Sequence, residues 1–123
     1  STIQKTFQIL NSPDGKFDSV FTSHDWLGHA SFSEKLDQPI NYELNASFSQ
    51  TQFMKKILLL TYGIMAWDSK SFLSRYKIAG AGMLNGKPKT INVSRLESIA
   101  IKYQDDLDMV NRIVSNKNIW DFV

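Results

Sequence analysis

The sequence predicts an α+β fold: an N-terminal antiparallel meander of three or four hairpin strands, followed by two or three C-terminal helices packed on one sheet face. Two observations carry this expectation. Apolar residues alternate with polar ones through most of residues 3–48, and from about Ser49 they recur at steps of three and four instead. The 123 residues suit a single domain, 1–123, with a β-rich half over 1–49 and a helical half over 50–123. A chain of this length buries roughly two-thirds of its unfolded surface and needs neither metal nor disulfide to fold.

The strands come first. Ile3, Lys5, Phe7 and Ile9 alternate with polar neighbours, and Phe17, Ser19 and Phe21 resume the alternation after Asn11-Ser12-Pro13-Asp14-Gly15. In that run Pro fixes φ, Asp bonds its own backbone and Gly tolerates positive φ, so a β-hairpin is expected. Ala30, Phe32, Glu34 and Leu36 form a second alternating segment, which turns at Asp37-Gln38-Pro39. Ile40, Tyr42, Leu44, Ala46 and Phe48 then alternate without a break, as in a strand with one packed and one wet face. The segment from Ser23 to Gly28 fits a loop, a helical turn or the start of the third strand.

The helices follow. Ser49 or Thr51 caps the first, expected over 51–66. Its two stripes (Phe53, Ile57, Leu60, Ile64 and Met54, Leu58, Thr61, Met65) make a wide apolar face that should lie against the sheet. Asp68 is a suitable N-cap for a shorter helix over 68–78, which carries Phe72, Leu73 and Tyr76 and ends at Gly80 and Gly82. Residues 79–90 read as a loop, with Gly86 and Pro88 inside it. Ser94-Arg95-Leu96-Glu97 fits a capping box ahead of a long helix reaching to roughly Ser115, with Asp105, Asp106 and Asp108 on its wet side. The run Ile119-Trp120-Asp121-Phe122-Val123 is apolar for a chain end, which makes Trp120, Phe122 and Val123 a candidate hydrophobic interface.

Composition excludes several classes. There is no cysteine, hence no disulfide scaffold, Cys-based zinc site or cysteine nucleophile. Ser1-Thr2-Ile3-Gln4-Lys5 lacks the apolar core of a signal peptide. The apolar run over 57–67 is about half the roughly 20 residues that span a bilayer. A soluble cytoplasmic protein, or one held within a macromolecular assembly, is expected, with no membrane contact.

Charge is unevenly spread. Lys70, Arg75, Lys77, Lys87, Lys89 and Arg95 stand against only Asp68 and Glu97, so residues 68–97 are net +4, while the stretches on either side are each net −1. These six cations are the candidate partner-binding or nucleic-acid-binding residues, since cations near flexible loop amides suit phosphates or an acidic protein. The plain alternative is an ordinary solvated surface. Helices over 51–66 and 68–78 have helix-turn-helix spacing, but the second is poor in base-reading Asn, Gln and Arg. Gly80-Ala81-Gly82 with Gly86 and Lys87 lacks the ordered phosphate-loop pattern.

His24, Asp25 and His29 are the one set of acid–base or metal-binding residues that can be assembled. Their spacing puts the two His on different faces of a helix, and on opposite faces of a strand. No catalytic residue, metal ligand or cofactor is therefore assigned. The expected function is a small non-enzymatic protein-interaction or assembly component, of the kind phages and mobile elements carry. Its partner is another protein, and a homo-oligomer is compatible. A nucleic-acid-binding module over 70–95 is the first alternative, and a His-dependent hydrolase or nuclease the second.

Overall fold

The computed structural model describes residues 1–44 and 53–115. The class is α+β, as expected, with strands in the N-terminal part and, among the described residues, three helices, the last of them following all the strands. The order is α1 (Thr2–Leu10), β1 (Ser19–Trp26), β2 (Ser31–Phe32), β3 (Lys35–Pro39), β4 (Ile57–Trp67), α2 (Ser69–Ala79), β5 (Pro88–Asn92) and α3 (Gln104–Ser115). The main sheet has the order β4-β1-β5, and β2 and β3 form a separate two-stranded sheet. β1 is central, antiparallel to β4 and parallel to β5.

The first segment is helix α1, not the expected strand. Ser1 caps it through a complete capping box with Gln4. The side turned inward is Thr2, Thr6, Ile9 and Leu10, a helical i, i+4, i+7, i+8 stripe. Two of its four members are threonines, so the helical period was hidden while Ile3 and Phe7, both exposed, mimicked alternation. α1 packs on β1 and β4. The turn after it is built as the sequence implies. Asp14 accepts from the Ser12 hydroxyl at 2.7 Å and the Lys16 N–H at 3.2 Å, and Gly15 takes φ +53. It joins a helix to a strand rather than two strands.

β1 includes Ser19 and Phe21 of the strand expected after the turn, and runs on through Ser23 into the segment whose sequence was ambiguous. Ser19, Val20, Phe21, Thr22 and Ser23 are all buried, covered on both faces. Central strands usually read as apolar runs, and the small hydroxyl residues gave this one the alternation of a half-covered strand. Among the described residues the buried apolar side chains are few: Val20, Phe21 and Val93. Around them an aromatic chain links β1 to α2. Phe21 meets Trp67 edge-on at 5.5 Å, Trp67 meets Phe72 at 5.7 Å, and Phe72 stacks on Tyr76 at 6.2 Å. Such pairs add about 0.5–1.5 kcal/mol each beyond area burial.

The second hairpin turns earlier than expected. Glu34 adopts φ +61 in the turn between β2 and β3, and the Asp37-Gln38-Pro39 segment belongs to β3. Of the clean alternation expected over 40–48, residues 40–44 are irregular and the rest lie outside the described residues. The Asn41 side chain replaces a ladder there. It donates to the Gly28 and Lys55 carbonyls and accepts from the Ala30 N–H, all within 3.0 Å.

β4 occupies most of the segment expected to be the central helix, whose proposed caps Ser49 and Thr51 lie outside the described residues. Two adjacent apolar stripes amount to an apolar run with no preferred face, which period alone cannot assign. Ile57, Thr61, Tyr62, Ile64 and Trp67 favour a strand, and Gly63 disfavours a helix. β4 pairs with β1 in two arms, Ile57 to Leu60 against Trp26 to Ser23, and Met65 to Trp67 against Phe21 to Ser19. Between the arms the single residue Thr22 faces a bulge in which Tyr62 takes φ +57. The Thr22 hydroxyl fills it, accepting from the Thr61 hydroxyl at 2.8 Å and the Ile64 N–H at 2.9 Å.

α2 agrees with the sequence in both position and caps. Asp68 accepts from the Ser71 N–H at 2.8 Å, and Gly80 closes the helix in the left-handed conformation, its N–H donating to Tyr76 O. The loop beyond it ends sooner than expected, because Pro88–Asn92 is an edge strand. Proline is tolerated as the first residue of such a strand, and its parallel pairing with β1 leaves no local signature. The Ser94–Glu97 capping box forms reciprocally, at 3.2 and 3.1 Å. It closes a single turn over residues 95–98, and the long helix expected from it does not follow. The Asp106 carboxylate accepts the Lys102 and Tyr103 N–H groups, both at 2.9 Å, and starts α3 afresh at Gln104.

Candidate functional site

The basic segment is spread over several elements. Lys70 and Lys77 are exposed on α2, Lys87 and Lys89 lie at the start of β5, and Arg95 is in the turn after it. Lys89 has its ammonium over the Phe17 ring, 5.3 Å from the centroid. Arg75 differs from the other five. Its guanidinium Nη1 lies 2.7 Å from Asp18 Oδ2, and the two side chains are only 18% and 17% exposed. Its positive charge is neutralised inside the fold.

Asp18 is the centre of this arrangement, and sequence reading did not single it out. Its Oδ1 accepts from the Lys87 N–H at 2.8 Å and from the Ser19 hydroxyl at 3.1 Å. Its own N–H donates to Lys87 O, and its carbonyl accepts from the Asp68 N–H. One residue thus joins β1, the N-terminus of α2, the middle of α2 and the start of β5. Gly86 closes the arrangement from behind. A β-carbon there would lie 2.5 Å from Asp18 Oδ1 and 2.6 Å from Arg75 Cζ. Arg75 Nε and Nη2 are buried with no hydrogen-bond partner among the described residues, so Asp18 gives that cation its direct ion pair, with the charge of Asp68 acting from further away.

Burial pushes the Asp18 carboxyl up, but it is outweighed by the Lys87 N–H, the Ser19 hydroxyl and the charge and hydrogen bond of Arg75. The net effect holds it below the ordinary aspartate value. A carboxyl whose pKa is lower folded than unfolded adds stability above its unfolded pKa. That stability is lost as pH falls through the folded value. Acid titration followed by circular dichroism should therefore show wild-type stability falling below about pH 4, and a flatter acid limb when Asp18 is Asn.

The histidines do not converge. His24, at the wet end of β1, has Nδ1 3.3 Å from the Val93 carbonyl, and Asp25 takes the Asn92 side-chain oxygen on its N–H and pairs loosely with Lys56 at 3.8 Å. His29 meets the Tyr42 ring edge-on at 5.2 Å. Among the described residues no group of three or more His, Asp or Glu side chains is placed to hold a metal ion. The shallow groove formed by Asp105, Asp108, Met109, Arg112 and Ile113 is lined, among the described residues, by α3. Trp120, Phe122 and Val123 lie outside the described residues.

The apolar surface is the larger feature. Leu58, Leu59, Tyr62 and Met65 on β4 are exposed, as are Ile3 and Phe7 on α1 and Leu73, Tyr76 and Ile78 on α2. Ile78 is 85% exposed and Phe7 62%. No described helix is long and apolar enough to cross a membrane. Compared with known proteins, the chain matches no family model, no curated protein and no solved structure.

Proposed function

We propose that this chain is a small protein-interaction or assembly component whose apolar surface is covered by another protein chain. The observation that carries the reading is the imbalance of burial. Among the described residues three apolar side chains are buried, while large apolar side chains stand exposed on β4, α1 and α2. Single exposed apolar residues are ordinary, but contiguous exposed patches mark interaction surfaces. Covering a Leu, Ile or Met side chain is worth about 1.5–3 kcal/mol. Burying four or five of them therefore offsets much of the roughly 4–15 kcal/mol that association costs in lost freedom.

The basic segment fits this reading as a rim. Lys70, Lys77, Lys87, Lys89 and Arg95 are exposed, and the sixth cation, Arg75, is held by Asp18. Rim charges steer a partner and set its orientation more than they add affinity.

Light scattering on the purified chain, together with binding of an apolar dye such as ANS, tests the proposal. The expected result is either a defined oligomer with little dye binding, or a monomer that binds dye until a partner covers it. A strict monomer that binds no dye has no apolar surface to cover, and would sink the proposal.

A further inference from the structure

Phe17, just ahead of β1, gathers two cations. The Lys89 ammonium lies 5.3 Å from the centre of its ring and the Lys16 ammonium 5.4 Å. Lys16 belongs to the link between α1 and β1, and Lys89 to β5, so the parallel pairing of β1 with β5 brings them together. Both lysines are exposed, as is Lys87 two residues before Lys89.

These charges are not compensated within the fold. Among the described residues no carboxylate forms an ion pair with Lys16, Lys87 or Lys89. The acid at hand, Asp18, is committed to Arg75, the Lys87 N–H and the Ser19 hydroxyl. Asp14 turns its carboxylate to the Ser12 hydroxyl and the Lys16 N–H, and its charge reaches the Lys16 ammonium from beyond ion-pair distance. Held to one ring, the two ammoniums are at most about 11 Å apart. Like charges that close repel, since screening acts over roughly 10 Å at 0.1 M salt. An anion bound between them relieves the repulsion. The ring has already restricted both side chains, which lowers the entropy cost of binding.

We infer that Lys16, Phe17 and Lys89 form a clip for paired carboxylates on an acidic segment of the partner protein. This rests on the interaction reading above and names the chemistry of the partner. Acidic side chains at i and i+2 of an extended segment lie on one face about 7 Å apart, a spacing the two ammoniums can match. A nucleic-acid backbone fits less well. Duplex DNA carries a charge about every 1.7 Å along its axis, so it needs a longer run of cations than this clip provides. Its phosphates passing Lys16 would also meet the charge of Asp14, two residues away.

Fluorescence anisotropy of a labelled octaglutamate peptide tests the clip. The expected result is saturable binding at low salt that fades as salt is raised. Lys16→Ala/Lys89→Ala should lower the affinity about tenfold, the size of two exposed charge pairs. The charge-matched control Lys35→Ala/Lys102→Ala, on other elements, should leave it nearly unchanged. Phe17→Leu keeps both cations but removes the ring that gathers them, and should weaken binding about threefold. Circular dichroism confirms that the variants fold, and the lysine pairs decide the matter if Phe17→Leu does not. No binding at low salt, or an equal loss in the control pair, overturns the clip. Unchanged affinity in folded Phe17→Leu overturns the part given to the ring. Tighter binding of octathymidylate than of octaglutamate at the same salt overturns the acidic-protein assignment in favour of phosphate. Each of these leaves the apolar-surface reading standing, because light scattering and dye binding decide that one.

Discussion

Replacing Asp18 with alanine should lower folding stability by about 2–4 kcal/mol, among the largest effects of any single exposed-to-half-buried substitution in the chain. The carboxylate accepts from Arg75, the Lys87 N–H and the Ser19 hydroxyl, and it forms the direct ion pair of a guanidinium whose other two nitrogens are buried and unpartnered among the described residues. Removing one member of such a pair costs more than the pair contributes, because the other charge stays behind desolvated. The ends of this network are exposed enough that the effect should fall short of a fully buried pair. Urea unfolding monitored by Trp fluorescence measures it. Arg75→Met should cost less than Asp18→Ala, because it removes the buried cation instead of stranding it. A loss below about 0.5 kcal/mol for Asp18→Ala, the size of an ordinary surface change, would contradict the role given to Asp18.

Gly86→Ala is expected to cost about 1–3 kcal/mol or more through the same network. The added methyl group would meet Asp18 Oδ1 at 2.5 Å and Arg75 Cζ and Nη1 at 2.6 Å, so the ion pair has to open or the loop has to move. The contrast with Gly80 is informative. Gly80 has open space around it but a positive φ of 63, so Gly80→Ala costs backbone strain of about 1 kcal/mol and leaves Asp18 and Arg75 untouched. Once Asp18 is alanine, the β-carbon at position 86 has less to collide with. The double variant Asp18→Ala/Gly86→Ala should therefore lose less than the two single losses combined. Additive losses would mean that the two residues act separately.

Several features that depend on neighbours in the chain were legible in the sequence. The N-cap at Asp68, the left-handed Gly80 and the Asp14–Gly15 turn have the roles their residue types imply, and the Ser94–Glu97 box forms but closes a turn rather than a helix. Each is closed by hydrogen bonds spanning four residues or fewer. Features closed over long distances were not legible. β5 looked like loop because its partner, β1, lies far earlier in the chain. The basic segment was visible as a cluster of charges, but nothing local showed that Asp18 would neutralise Arg75. The candidate interface on β4 was visible only as an apolar run, and it was taken for a helix.

What the sequence determined by itself is therefore the α+β class, the caps of α2 and the Asp14–Gly15 turn, because the energies of such caps and turns are local. Tertiary structure decided which apolar run became strand and which became helix. The run over 57–67 is apolar on every side and satisfies either period, so the choice fell to β1, whose free backbone edge could pair with it. α1 went the other way because its inward stripe, half threonine, needs little apolar cover. The same competition left the outer edge of β4 open, since a strand pairs on both sides and the described chain supplies a partner for only one.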